Sequence, residues 1–361
     1  MPKIDWLTGR AAPYRRPIWN SLGNMCDLKV RLLENTAQFR RKPGNRPADW
    51  YEIGLGRDDV ASVRTARFQH GEENYYLALQ PPLRSGLDGA VLGGWESPAY
   101  WQALAQLRSS RNRARAVGFY ESTLATQGHP RGPIAASRQW YFRHLDAVVV
   151  PGEASASAVA EMGIDDRRIF VGFNPVDVEW IAHNARRFDP TTPGHRFLFI
   201  GQLVARKNPI GLLRAYAACR AESDTLTLVG KGELSEVVTA EIARLELRDS
   251  VELIPAVSYQ EVPQILGRHD TLVLASSVEV WGLVVNEALA AGLHAVVSRM
   301  TGVASSTVGM KGVYLCQPHE ADIARAMAAS RHAWMGPIKN PAMLQHTPAK
   351  FAEVFASALL G

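Results

Sequence analysis

Short apolar runs punctuate the chain at regular intervals, with stretches of helical periodicity between them. Six fall in the first half, at residues 4–7, 28–33, 89–93, 116–120, 147–150 and 168–172. Six more follow at 197–200, 226–229, 251–254, 271–274, 295–298 and 313–316. Continuous Val, Ile and Leu runs are characteristic of parallel strands, because helices cover both faces of their sheet. Strand and helix therefore alternate twice over, which predicts two doubly wound α/β halves. Between them, residues 182–195 are polar and carry Pro190, Pro193 and Gly194, a composition that suits an interdomain linker. The expected domains are residues 1–190 and 191–345, followed by a helix over 346–361. In that last stretch positions 351, 354, 355, 358 and 359 are apolar at helical spacing. Residues 36–86 have weak periodicity, many charges and the pair Pro81 and Pro82, and are expected to be irregular with at most short strands.

A length of 361 residues fits about two domains, and 47% hydrophobic with 21% charged residues excludes disordered and collagen-like classes. The net charge of +5 is unevenly placed. Residues 1–190 hold 25 basic and 20 acidic side chains, whereas 191–361 hold 15 of each. Within residues 1–150 the balance is 21 against 13, which favours an anionic partner or surface on that side. Cys26, Cys219 and Cys316 lie far apart without metal-type spacing, so neither a disulfide framework nor a zinc site is indicated. The apolar stretch 271–298 is broken by Glu279, Gly282, Asn286, Glu287 and Gly292 and does not read as a membrane span. The N-terminal residues are in the wrong order for a secretory signal. A cytoplasmic protein, at most peripheral at the inner membrane face, is expected.

The most informative segment is 276–292, directly after the apolar run 271–275. A strand, a turn at Gly282 and a helix opening near Leu283 would place the N–H groups of Gly282, Leu283 and Val284 at a helix N-terminus, a geometry that favours a diphosphate. The helix is apolar on most sides, so Glu287 faces protein or ligand and needs a partner, such as the vicinal hydroxyls of a ribose. Glu279, in the turn, could reach a hydroxylated ring beside the phosphates. Two acids at this spacing also arise by chance, as a loop acid and a local ion pair. In a second segment a strand ends at Gly201, a loop carries Arg206 and Lys207, and a helix follows Asn208 with Pro209 at its first position. Basic side chains there sit where such sheets bind ligands, although a solvated loop is the plainer alternative. Gly230 and Gly232 mark a glycine-bearing strand exit without a full phosphate-loop pattern. In the first half, Arg10, Tyr14, Arg15 and Arg16 follow the first strand, where they could meet phosphate groups or form a basic surface loop. Arg111, Arg113 and Arg115 could form a phosphate-facing or lipid-facing patch, or a solvated helix end. His144 reads as structural.

These residues resemble the retaining family 4 glycosyltransferases of the GT-B fold. The family signature Glu-Gly-Phe-Gly-Leu-Pro-x-x-Glu reads here Glu279-Val-Trp-Gly-Leu-Val-Val-Asn-Glu287, and Gly-Arg-Leu-x-x-x-Lys reads Gly201-Gln-Leu-Val-Ala-Arg-Lys207. PYRRP at 13–17, GW at 94–95, YEST at 120–123 and NPVD at 174–177 extend the resemblance over most of the chain. It implies two Rossmann-like domains facing across a cleft, with acceptor on the first and donor on the second, and a C-terminal helix crossing back to the first. Glu279 would hold the transferred sugar, Glu287 the donor ribose and Lys207 the diphosphate, with Trp281 in the donor loop and Val257 near the base. Arg10, Tyr14, Arg15, Arg16 and Trp95 would face the acceptor. Four departures matter. Gln202 replaces an arginine, so Arg206 would have to supply the missing charge; Val280 replaces a glycine and Val284 a proline. Glu121 stands where many relatives have a histidine, and is a candidate for contact with sugar or acceptor.

The implied reaction moves a hexosyl-type sugar from a nucleotide diphosphate to an acceptor hydroxyl on a glycolipid, polysaccharide or small-molecule glycoside precursor. It needs no protein nucleophile, since cationic and N–H donors stabilise the departing diphosphate. No cofactor is inferred, and no Asp-x-Asp metal motif appears. Rival readings are a nucleotide-sugar epimerase on the same architecture and a basic nucleic-acid or polyanion-binding protein. A stacking aromatic motif interleaved with the basic residues, which the latter would need, is missing.

Overall fold

The computed structural model describes residues 1–10, 12–34, 59–71, 73–109, 114–185 and 193–361. They form two compact units. The described part of the first runs from Met1 to Asn174 and resumes at Pro348–Gly361, and the second is Pro175–Thr347.

Strands β1 (Lys3–Thr8), β2 (Asp27–Leu32), β3 (Val60–Ser62), β4 (Thr65–His70), β5 (Glu73–Ala78), β6 (Gly89–Leu92), β7 (Arg115–Phe119), β8 (Ala147–Pro151) and β9 (Ile169–Gly172) belong to the first unit. Seven of them make a parallel sheet in the order β3-β2-β1-β6-β7-β8-β9. Side chains alternate across it. Ile4, Trp6, Val91, Val117 and Val149 face a core shared with the helices Arg16–Gly23 and Pro348–Leu360. Leu7, Leu92, Ala116, Val148 and Val150 face a second core under the helices Pro98–Ser109, Pro133–Arg143 and Gly152–Ala160. Both faces are thus covered, which is why the strands read as unbroken apolar runs. Trp6 anchors the first core, its ring 4.5 Å from Phe355 and 5.9 Å from Trp19. The C-terminal helix packs through Phe351, Phe355, Ala358 and Leu359 and belongs to the first unit.

The second unit contains β10 (Arg196–Ile200), β11 (Thr225–Val229), β12 (Val251–Ile254), β13 (Thr271–Leu274), β14 (His294–Ser298) and β15 (Val313–Cys316). They pair in parallel in the order β12-β11-β10-β13-β14-β15. The chain runs outward from β10 to β12 and then returns to the other side of β10. The crevice between β10 and β13 is therefore a topological switch point, the place where open α/β sheets take ligands. In the first sheet the same point lies between β1 and β6.

Three expectations change. The division falls at Asn174 instead of near residue 190, because the Val178–Asn184 helix packs on the Leu283–Ala290 helix of the second unit. Residues 186–192 of the expected linker lie outside the described residues, as do 36–58 of the stretch read as irregular. Within 59–86 the chain forms β3 and an antiparallel hairpin of β4 and β5, six residues each. Five of the six β4 residues are exposed, so no apolar alternation marks the strand. Finally, Arg115 opens β7 and does not end a helix: its Nε donates to the Ala358 carbonyl at 2.6 Å, at the end of the C-terminal helix, where a cation is favoured. Arg111 and Arg113 lie outside the described residues.

Candidate active site

Glu279 and Lys207 meet at the switch point of the second unit. β10 ends at Ile200, and the loop that follows carries Gln202, Arg206 and Lys207; β13 ends at Leu274, and its loop carries Glu279. Lys207 Nζ donates to Glu279 Oε2, and Arg206 Nη1 donates to the same oxygen at 3.2 Å. Arg206 also reaches Gln202 Oε1 at 3.3 Å, which brings together the guanidinium and the residue that replaces the family's arginine. Lys207 is mostly buried and Arg206 is half exposed. Burial pushes the Lys207 ammonium down from its ordinary value, while the carboxylate of Glu279 pulls it back up.

The Glu279 loop is held by backbone. The N–H of Glu279 donates to Met300, its carbonyl accepts from Gly302, and the residue bridges to Thr301. Gly282 then turns the chain with φ 106°, in the left-handed region, and precedes the Leu283–Ala290 helix. A Cβ there would lie 2.6 Å from Leu274 Cδ2, so both conformation and space require glycine. The N–H groups of Leu283 and Val284 open that helix, where an anion is favoured. Trp281 is buried and its indole N–H donates to Asn286 Oδ1 at 3.3 Å, so its side chain shapes the loop from within. Val257 and Val284 are half-buried.

Glu287 sits one helical turn further on and is 7% exposed. Burial pushes its carboxyl up to about 8, and a hydrogen bond from the Tyr259 hydroxyl opposes that rise. Tyr259 was not among the sequence-derived residues; it lies in the loop after β12, among polar neighbours with no apolar pattern to single it out. The Ser276 hydroxyl, two residues past β13, is fully buried and has no hydrogen-bond partner among the described residues.

Gly201 lines the same loop. Its carbonyl passes so close to Gly230 that a Cβ on the latter would lie 1.9 Å away. The Gly230 and Gly232 segment thus serves close backbone approach. Asn208 precedes the following helix without a side-chain cap bond to it. Its side chain instead bridges the Ala275 and Pro318 carbonyls at 3.3 and 3.0 Å, tying the exits of β13 and β15 together.

In the first unit a recurrent position carries the polar groups. Arg10, Glu34, Glu121 and Asn174 each stand two residues past the end of a parallel strand, namely β1, β2, β7 and β9. Arg15 is buried and pairs with Glu121, and lies over the Phe119 ring at 4.7 Å. Glu121 also takes the Asn174 amide at 3.5 Å. Arg10 pairs with the buried Glu34 at 2.9 Å, and Glu34 also accepts from the Tyr76 hydroxyl. Burial pushes the Glu34 carboxyl above its ordinary range. Tyr14 and Arg16 flank Arg15 and are half-buried, and Trp95, after β6, lies 5.6 Å from the Arg138 guanidinium. Glu34 and Tyr76 escaped sequence reading and Asn174 entered it only as part of NPVD, although a search for polar residues just past each strand finds Glu34 and Asn174.

Residues 184–330 match the family model described as glycosyl transferases group 1. A glycogen synthase from Mycobacterium tuberculosis is 26% identical over 220 residues, covering 60% of this chain and 51% of the relative. A D-inositol 3-phosphate glycosyltransferase from Pseudarthrobacter chlorophenolicus is 30% identical over 187 residues, covering 48% and 44%. The chain thus spans about half the length of the curated relatives it matches. Among solved structures, the lipopolysaccharide outer core galactosyltransferase WaaB superposes with a TM-score of 0.71 at 15% identity, over 99% of both chains. Anabaena HepE in complex with UDP gives 0.66 at 15% identity, over 99% of this chain and 94% of that one. Two parallel α/β units with loops gathered at a switch point define the GT-B class. By fold the chain is of the GT-B class, and over residues 184–330 it is similar to the group 1 glycosyl transferases.

Proposed function

We propose that the protein is a retaining glycosyltransferase that moves a hexosyl group from a nucleoside diphosphate sugar to an acceptor hydroxyl. The observation that carries this reading is the set of Lys207, Glu279 and Glu287 around a helix led by Gly282, at the switch point of the second sheet. As the bond from sugar to phosphate breaks, charge gathers on the diphosphate. Lys207, Arg206 and the amides of Leu283 and Val284 stabilise it. Glu279 holds the transferred sugar, and a phosphate oxygen accepts the acceptor proton on the same face, so configuration is retained. Glu287 accepts from the ribose hydroxyls. The binding of UDP by HepE supports a nucleotide donor.

The acceptor belongs on the first unit, where Arg10, Arg15 and Glu121 stand past the strand ends. The excess of basic residues in 1–150 supports a phosphorylated or lipid-linked acceptor and contact with an anionic membrane surface. No helix among the described residues is long and apolar enough to cross a membrane. Product analysis tests the reaction type. A transferase turns over a nucleotide sugar only when an acceptor or water receives the sugar, with release of the nucleoside diphosphate. An isomerised nucleotide sugar formed from the donor alone would establish the epimerase instead.

A further inference from the structure

The NPVD segment at 174–177 is unused in the mechanism above, yet a chain of contacts leads from it to Glu287. Asp177 caps the Val178–Asn184 helix, its Oδ1 accepting the Trp180 N–H at 3.0 Å. That helix packs against the Leu283–Ala290 helix. It presents the Trp180 ring parallel to the Tyr259 ring, with centroids 5.4 Å apart and planes 18° apart. Tyr259 opens a short turn locked by a reciprocal cap, in which Glu261 Oε2 accepts from both the N–H and the hydroxyl of Ser258. The Tyr259 hydroxyl then bonds Glu287.

We propose that Tyr259 is the positioning residue for Glu287, holding the carboxylate by one hydrogen bond so that its remaining lone pairs meet the ribose hydroxyls, with Trp180 and the Asp177 cap fixing the tyrosine. The proposal rests on the nucleotide-donor reading. A carboxylate accepts about four hydrogen bonds, so one from Tyr259 leaves room for two from a ribose. Burial opposes the charged form of Glu287, and a hydrogen bond to that form favours it. Among the described residues, Tyr259 is the titratable group that bears on Glu287, and Asp177 in turn bears on Tyr259.

The test is calorimetric titration of the full chain with UDP, GDP, ADP and dTDP between about pH 7 and about pH 9, the range in which a buried carboxyl of this kind ionises. The tightest binder is carried forward, and melting curves confirm that each variant folds. Affinity should rise with pH as Glu287 ionises. Tyr259→Phe should weaken binding about tenfold at neutral pH, shift the rise to higher pH, and cost nothing further when combined with Glu287→Ala. Burial also lowers the Lys207 ammonium, but Lys207 is common to all these proteins, so comparison at each pH removes its contribution. Trp180→Leu should reproduce part of the effect, and Trp180→Phe should restore it. If Tyr259→Phe keeps the parent affinity and pH profile while Glu287→Ala loses binding, the positioning role is overturned and the nucleotide reading stands. An equal loss with and without Glu287→Ala, at an unchanged pH profile, overturns it as well. Retention of full affinity by Glu287→Ala, or no binding of any of the four nucleotides, overturns the nucleotide reading itself.

Discussion

Arg206 and Lys207 are adjacent, share one carboxylate oxygen and differ in burial, and that difference ranks them. Lys207 has lost most of its water, so its charge acts at low dielectric, whereas the Arg206 guanidinium is 47% exposed and screened. Lys207→Ala should therefore weaken nucleoside diphosphate binding about 100-fold and Arg206→Ala less than about 10-fold, measured by titration at fixed ionic strength. Equal losses would mean that Arg206 carries the charge missing at Gln202. What the sequence offers at this site is two short patterns, Glu279 and Glu287 about Gly282 and Lys207 six residues past Gly201, which the fold brings together as the Lys207–Glu279 pair. Tyr259 and Tyr76 carry no such pattern, since each acts through a contact far along the chain.

At the scale of elements, the parallel strands were readable and the hairpin was not, for one reason. A strand covered on both faces must be apolar throughout, and all twelve expected runs appear as strands. β4 is held by backbone pairing to β5 with little burial of its own, which composition does not record. The C-terminal helix follows the same logic of burial. Phe355 is fully buried against Trp6, Phe119 and Phe351. Phe355→Ala should destabilise the first unit by about 3–5 kcal/mol, read by denaturant titration. A loss below about 1 kcal/mol would show that the helix is loosely held.

The amino ends of the second sheet carry a polar set of their own. His195 Nε2 lies 2.8 Å from Thr271 Oγ1, and His269 Nε2 lies 2.9 Å from Thr227 Oγ1. Burial holds both imidazoles down at about 4, against an ordinary value of 6.5. The folded state therefore prefers them neutral. The stability they contribute is complete above the ordinary histidine value and is lost as pH falls toward 4, at up to about 1.4 kcal/mol per pH unit for each. Thermal melting should decline over that interval, and His269→Gln should flatten the decline. An unchanged slope would contradict the burial argument.

For the whole molecule, the two sheets place their polar loops by the same rule, since each gathers them where strand order reverses. Charge is unevenly placed. The acidic and basic groups around Gly282 belong to a half with no net charge, while the basic excess lies in residues 1–150. The division between units was misplaced in the sequence because a polar linker composition says where chain is exposed, and the Val178–Asn184 helix runs into that stretch while packing with the second unit. The most direct test of the account is a thermal-shift screen of the full chain with UDP, GDP, ADP, dTDP and their sugars. One nucleotide series should raise the melting temperature, and Glu287→Ala should abolish most of that rise. No shift with any of them, or a full shift retained by the variant, would contradict the account.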